Sequence, residues 1–458
     1  MFKKTFFTLL ALPFLSCQPD DSGGYEPIDL SERLYAGGAT TLFTVTSNAY
    51  RTPAPNLTAE DLAIHLMGDV DFESVFVTAP SSINQGLGPI FNNSSCISCH
   101  PRDGRAGFPS DMIARSGLLI RASIPGQDEH GGPLAAPGFG LQVQNQALFG
   151  YVPEARYGVT FTETTETLAD GTMVILRRPN IALSEGYVAF PSGMMTSPRI
   201  GPPVFGLGLL EAIPEADIIA RQDISDSDGN GISGKANYVW DPLLGQTVLG
   251  RFGWKANTGT IRTQCAAAYV EDMGITNNIF HLETGHGQSN GHDGFPDDPE
   301  LPDNILDQTV LYCRTLAVPA PRGIESRQVR DGAAVFERIG CTDCHTPKQR
   351  SGHSTISAIS NQTFYPYTDM LLHDMGQGLA DNRPDFLADG REWKTRPLWG
   401  IGLTELVNGH TNFLHDGRAR NLTEAILWHG GEGQKAKDKF KTLSKKDREA
   451  LLAFLNSL

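Results

Sequence analysis

The sequence predicts a mainly α chain in which one unit occurs twice, the first copy enlarged by a loop-rich insertion that contains a β-hairpin. Three observations carry that prediction. The pentapeptide Cys-x-x-Cys-His stands at Cys96-Ile-Ser-Cys99-His100 and again at Cys341-Thr-Asp-Cys344-His345. Each half closes on an apolar pattern at helical spacing: Ile305, Thr309, Tyr312 and Leu316, then Ala450, Leu451, Phe454, Leu455 and Leu458. The second pattern opens on the capping pair Ser444 and Asp447. The stretch between motif and closing helix is much longer in the first copy, and it holds the insertion.

The chain has 458 residues, 40% of them hydrophobic and 19% charged, which suits two or three domains with real cores. Its 49 glycines and 29 prolines argue for long loops between elements. The balance of 37 Lys and Arg against 52 Asp and Glu gives a net charge of −15, with no basic tract, so nucleic acid is not among the expected partners. There are seven cysteines, and an odd number requires that at least one does something other than pair within the chain.

The first cysteine reads as an address. Lys3 and Lys4 precede an apolar run from Phe6 to Leu15, and Ser16-Cys17 follows. The run is too short to span a bilayer but suits a secretory signal, and a small residue before cysteine is how a bacterial lipoprotein signal ends. Residues 1–16 are then the signal peptide, Cys17 carries lipid, and residues 17–57 form a tether and N-terminal extension. Ordinary secretion with Cys17 idle is the alternative. Either way the chain is exported, and the lipid holds it to the bacterial envelope, in the periplasm or at the outer-membrane surface. Disulfides are permitted there.

Four more cysteines belong to the two pentapeptides. Cys-x-x-Cys-His is the attachment signature of c-type haem: two thiols add across the vinyl groups, and the adjoining imidazole becomes the proximal iron ligand. Cys96, Cys99 and His100 are expected to hold one covalently bound haem; Cys341, Cys344 and His345 are expected to hold the other. A zinc site would need ligands from pairs far apart, and a redox dithiol gives no reason for the histidine. Phe91 and Phe336 precede their motifs by the same interval, each on a Gly-led segment. Helix, motif, loop and closing helix is the order of a cytochrome c domain. Two cytochrome c-like domains are therefore expected, over 58–320 and 321–458, joined at Val318-Pro-Ala-Pro-Arg322.

Within the insertion, residues 157–178 read as a hairpin turning at Asp170-Gly171, and Glu211 to Arg221 as a helix. Asp226, Asp228 and Asn230, with Gly231 and the main chain at Ile232, match the front of a calcium loop, although Asn237 stands where a bidentate Glu is usual. An Asx-rich surface turn is the alternative. Cys265 and Cys313 remain: a disulfide joining the insertion to the closing helix is expected, with two separate buried thiols as the rival.

Further motifs carry a family resemblance. Gly86-Leu-Gly-Pro-Ile-Phe-Asn, Arg177-Arg-Pro-Asn, Gly206-Leu-Gly-Leu-Leu-Glu-Ala-Ile-Pro, Leu249-Gly-Arg-Phe-Gly-Trp-Lys and Glu271-Asp-Met-Gly-Ile-Thr resemble the bacterial di-haem oxidoreductases from about residue 60 onward. That family is described both as peroxidases and as thiol oxidoreductases. Phe413-Leu-His415-Asp-Gly417 and Leu422-Thr-Glu-Ala-Ile426 make the second half similar also to di-haem cytochrome c peroxidases and to MauG. The resemblance implies a far-side ligand to the second haem fourteen residues after His415, at His429. His415, His373 and Met375 are competitors. It also implies a Gln and an acid/base Glu over the first haem, for which Gln146 and Glu154 are the candidates. The Trp that bridges the haems in the peroxidases has no evident counterpart. No far-side ligand to the first haem is evident either, His130 and Met112 being unsupported.

The function expected is a peroxidase-type oxidoreductase: peroxide at the His100 haem, protons moved by Glu154, and an oxidising equivalent relayed or stored at the second haem. A small electron-donor protein or cytochrome would be its partner. The alternative is a non-catalytic surface electron-transfer lipoprotein, one use of which would be iron uptake.

Overall fold

Two helix pairs of the same design stand behind the two motifs. They are seen in a computed structural model, which describes residues 26–109, 116–292 and 298–458. The signal sequence, Cys17 and Met112 lie outside the described residues. Among the described residues, no helix is long and apolar enough to cross a membrane. The first pair is Ala59–Glu73, capped by the Thr58 side chain accepting from the Asp61 N–H, against Asp303–Thr315. The second is Arg327–Arg338 against Lys445–Ser457, whose Ser444 cap accepts from the Asp447 N–H.

Each pair crosses at a glycine. A Cβ on Gly68 would collide with the Gln308 carbonyl, and one on Gly332 with the Ala450 carbonyl. Glycine lets each pair of backbones approach closely enough for the side chains around the crossing to interlock. Phe72 lies 6.2 Å from the His100 ring and 5.3 Å from Tyr312; Phe336 lies 6.3 Å from His345 and 5.4 Å from Phe454. Phe72 is thus the counterpart of Phe336, and Phe91 is not. Residues 74–95 separate the first helix from its motif, so counting back from Cys96 lands on the two-residue strand Ile90–Phe91, paired with Gln146–Ala147.

The mainly α expectation is corrected by the structure. The chain is 30% helix and 19% strand, the strands spread over many small sheets. The cause lies in the glycine- and proline-rich connections, which satisfy their backbone groups by pairing with one another. Leu118–Gln127 pairs antiparallel with Met195–Ile200 on one side and Pro133–Leu134 on the other. The hairpin runs from Arg156–Thr167 to Met173–Ser184, longer than the sequence suggests, with Gly171 at positive φ in its turn. The helix expected over Glu211 to Arg221 is two short ones, Leu207–Glu211 and Glu215–Ile219, because Pro214 cannot continue the first.

The hydrophobic cores do not divide at residue 320. Phe364, Leu371, Trp399, Leu403 and Val407 are buried in the same core as Phe72, Tyr269 and Tyr312. In the other direction, Leu168 and Leu176 at the hairpin end are buried with Phe336, Leu427 and Phe440. Polar contacts fasten the hairpin there: Glu166 accepts from Lys437 and Lys441 at 3.0 and 2.6 Å, and Asp170 accepts from Arg448 at 2.6 Å. The N-terminal extension is also built in. Leu30 joins the second core, Tyr50 the first, and Thr41–Leu42 pairs in parallel with Val318–Pro319 at the expected linker.

Leu176 therefore belongs to the core of the C-terminal unit although it lies far from it in sequence. Leu176→Ala is expected to lower the unfolding free energy by about 2–5 kcal/mol, read as an earlier urea midpoint. A loss of a few tenths would mean that the hairpin merely rests on the surface.

Candidate functional site

Both Cys-x-x-Cys-His segments fold into one tight turn that brings the histidine back over the first cysteine. The His100 N–H donates to the Cys96 carbonyl at 3.0 Å, and the His345 N–H to the Cys341 carbonyl at 2.9 Å. Each imidazole is then oriented by a backbone carbonyl on its Nδ1: Pro202 for His100 at 2.7 Å, Tyr367 for His345 at 3.0 Å. A carbonyl can only accept, so Nδ1 carries the proton and Nε2 keeps its lone pair. Burial pushes both pKa values down to about 4, so the rings are neutral near neutral pH. A neutral imidazole fixed through Nδ1 is what an Nε2 metal ligand requires.

His429 follows the helix Leu422–Leu427 and has the same arrangement, with Nδ1 on the Ala425 carbonyl at 2.8 Å. Burial lowers its pKa, and it is close enough to His345 to lower that pKa electrostatically. It also lines a cavity of about 220 Å³ with Trp428, Glu166 and Lys437. The competitors are engaged otherwise. His373 meets Asp369 through Nε2 at 2.8 Å and Glu432 through Nδ1 at 2.5 Å. Burial opposes its charge, but Asp369 leads the contacts that raise its pKa well above the usual value, so both nitrogens are protonated donors. His415 stacks on Trp393 at 3.7 Å, and Met375 packs on the core that contains Trp254 and Trp393.

His100 and both its cysteines line a cavity of about 430 Å³. Its wall takes Gln142, Glu271, Asp272 and Trp254 from the insertion, and Lys394, Arg396 and Trp399 from beyond residue 320. Among the described lining residues there is no second imidazole. His130 is not one of them but stacks at 3.8 Å on Trp240, which is.

The scan of family models matches residues 31–458 to the family described as "Di-haem oxidoreductase, putative peroxidase". The chain belongs to this di-haem oxidoreductase family. Haem is accordingly its cofactor. No curated protein matches the chain. Among solved structures it is similar to hydrazine synthase of Kuenenia stuttgartiensis pressurized with xenon, at 13% identity, over 99% of this chain and 100% of that one, with a TM-score of 0.37. At that score the likeness carries no argument. The residues present fit two haems: two thiol pairs, each followed by a neutral imidazole held through Nδ1, and a large, mostly apolar cavity beside the first.

Gln146 and Glu154 are not among the cavity's lining residues. Gln146 sits on the short strand opposite Phe91. Glu154 is fully buried: it accepts from the Gln144 N–H at 2.6 Å and from Gln288 at 2.8 Å, and burial pushes its pKa up to about 8. The acids in the wall are Asp128, Glu271, which pairs with Arg121, Asp272, and Asp385, which pairs with Arg199. Asp272 accepts from Gln142 at 2.7 Å, and burial pushes its pKa up to about 6. The motif Glu271-Asp-Met-Gly-Ile-Thr held the available signal, but sequence gives no sign that it faces the same space as His100.

Cys265 and Cys313 meet in the same wall as two free thiols, and Cys265 helps to push the Cys313 pKa up. The carboxylates of Asp223, Asp226 and Asp228 converge within 4.8 Å, so the acidic loop gathers Asp223 in addition to the residues read from sequence. Asp226, Asp228 and Asn230 each accept a backbone N–H of the loop, Asn230 from Ile232 at 2.7 Å. Asn237 is turned into the interior, donating to the Lys255 and Asp385 carbonyls.

Glu154 makes stability depend on pH. Its folded pKa is raised, so the stability gained by keeping it neutral is complete below about 4.5 and is lost as pH rises through about 8. Glu154→Gln removes that ionisation. The melting temperature of the wild type relative to the variant should therefore fall steadily across this range; a constant difference would show that Glu154 titrates normally.

Proposed function

We propose that the chain is a c-type di-haem oxidoreductase of the peroxidase kind, which reduces peroxide or uses it to oxidise a partner. The observation that carries this reading is the asymmetry of the two imidazole centres. His345 has His429 within electrostatic reach, whereas His100 borders a cavity of about 430 Å³ with no second imidazole in its described wall. On this reading Cys96 and Cys99 hold one haem through thioether bonds, and Cys341 and Cys344 hold the other. His100 and His345 would each ligate one iron, and His429 would give the second iron a further imidazole. Bound there, haem supplies reversible one-electron chemistry at iron.

The chain's own groups supply the rest. Asp272, with a pKa near 6, can both hold and release a proton at neutral pH, and Gln142 fixes its Oδ1. Asp272 thus takes the proton-moving role that the resemblance gave to Glu154. Glu154 is a positioning residue: it holds the Gln144 backbone, while the Gln144 side chain donates to the Glu271 carbonyl at 2.7 Å, next to Asp272. Export with a lipid anchor at Cys17 and a small electron-donor protein or cytochrome as partner belong to the same proposal.

Haem-loaded protein should turn over hydrogen peroxide with a chemical electron donor. Asp272→Asn should lower kcat by about 10²–10⁴-fold, and Glu154→Gln far less; the reverse order would return the role to Glu154. A fully loaded wild type without turnover would overturn the enzyme reading in favour of electron transfer alone. His429→Ala should convert one low-spin haem to high spin in the electron paramagnetic resonance spectrum. An unchanged spectrum would remove His429 from the iron.

A further inference from the structure

Arg105, Lys394 and Arg396 all line the His100 cavity. Arg105 and Lys394 are 8% and 4% exposed. The guanidiniums of Arg105 and Arg396 both lie over the Trp254 indole, at 5.4 and 4.8 Å from its centroid. Among the described residues no carboxylate forms an ion pair with any of the three. Arg105 donates to the Leu414 carbonyl at 2.9 Å, and Lys394 to the Arg251 carbonyl at 2.5 Å. Burial pushes Arg105 down to about 9 and Arg396 to about 10, and it holds Lys394 well below its ordinary value. Arg396 adds a like-charge penalty to both of the others.

The other cations of the cavity are treated differently. Arg121 pairs with Glu271, and Arg199 with Asp385 at 3.0 Å. Arg396 repels both Arg105 and Lys394, and cationic groups crowded together without a counter-ion are unfavourable unless an anion joins them. Planar guanidiniums beside an ammonium suit carboxylates, which they can grip through two parallel hydrogen bonds.

We propose that Arg105, Lys394 and Arg396 form a receptor for carboxylate groups inside the His100 cavity. Carboxylates could come from two sources, the propionate arms of haem or a soluble organic acid, and the chemistry of recognition is the same. The haem source rests on the reading of the His100 site given above; the receptor itself does not. Two of the three cations come from beyond residue 320, so the receptor exists only when the two halves of the chain are docked.

The test compares wild type with Arg396→Gln and the charge-keeping Arg396→Lys, after haem content has been measured. Resonance Raman spectra report the propionate bending bands, spectroelectrochemistry the two reduction potentials, and calorimetry the binding of benzoate. If haem carboxylates occupy the receptor, Arg396→Gln shifts one set of propionate bands and lowers one potential while the other stays, and Arg396→Lys largely restores both. If the source is soluble, the bands stay fixed, the wild type binds benzoate, and Arg396→Gln weakens that binding at least tenfold. Fixed bands together with no benzoate binding overturn the proposal. Protein without haem overturns the haem reading and leaves the benzoate measurement to decide the receptor. Arg105→Gln provides the same comparison should Arg396→Gln fail to fold.

Discussion

The close crossing of two helices at a glycine is the constraint from which both centres follow. Gly68 admits the Gln308 carbonyl, and Gly332 admits the Ala450 carbonyl. Close backbone contact leaves the aromatic side chains on the flanks nowhere to go but against the neighbouring imidazole. Phe72 and Phe336 take nearly the same distance and tilt from His100 and His345. A larger residue at either glycine would separate the helices and release the ring that backs the histidine. The turn that carries the thiols would lose its support with it.

On that platform, backbone carbonyls do the orienting. His100, His345 and His429 each give Nδ1 to a main-chain oxygen, so the tautomer is set by the fold and not by a titratable neighbour. His373 shows the contrast: two carboxylates hold it as a cation, so the same side chain becomes a structural tie between Asp369 and Glu432. Electrostatic environment, more than residue type, separates ligand candidates from bystanders in this chain.

The insertion and the N-terminal extension hold the two units together. The hairpin sends Leu168 and Leu176 into the C-terminal core, and the segment around Thr41 closes on Val318. In return, residues after 320 complete the first cavity with Lys394, Arg396 and Trp399. Each centre therefore borrows walls from the other half of the sequence. A chain joined so extensively builds both histidine centres on one interleaved framework.

What the sequence by itself determined is what local spacing can encode. Cys-x-x-Cys-His is a single turn whose geometry needs no distant partner, and the closing helices and the Ser444 cap are periodic signals over a few turns. Even the Asp170-Gly171 turn follows from the positive φ that glycine accepts at Gly171. The tertiary structure alone decided what long-range packing sets. The small sheets arise because loops distant in sequence satisfy one another's backbone groups, which no local pattern announces. Phe72 replaced Phe91 because an interposed stretch broke the parallel count. Asp272, not Glu154, borders the cavity because facing the same space as His100 is a property of packing. The three uncompensated cations were invisible for the same reason: a charge reveals its missing partner only once its neighbours are known.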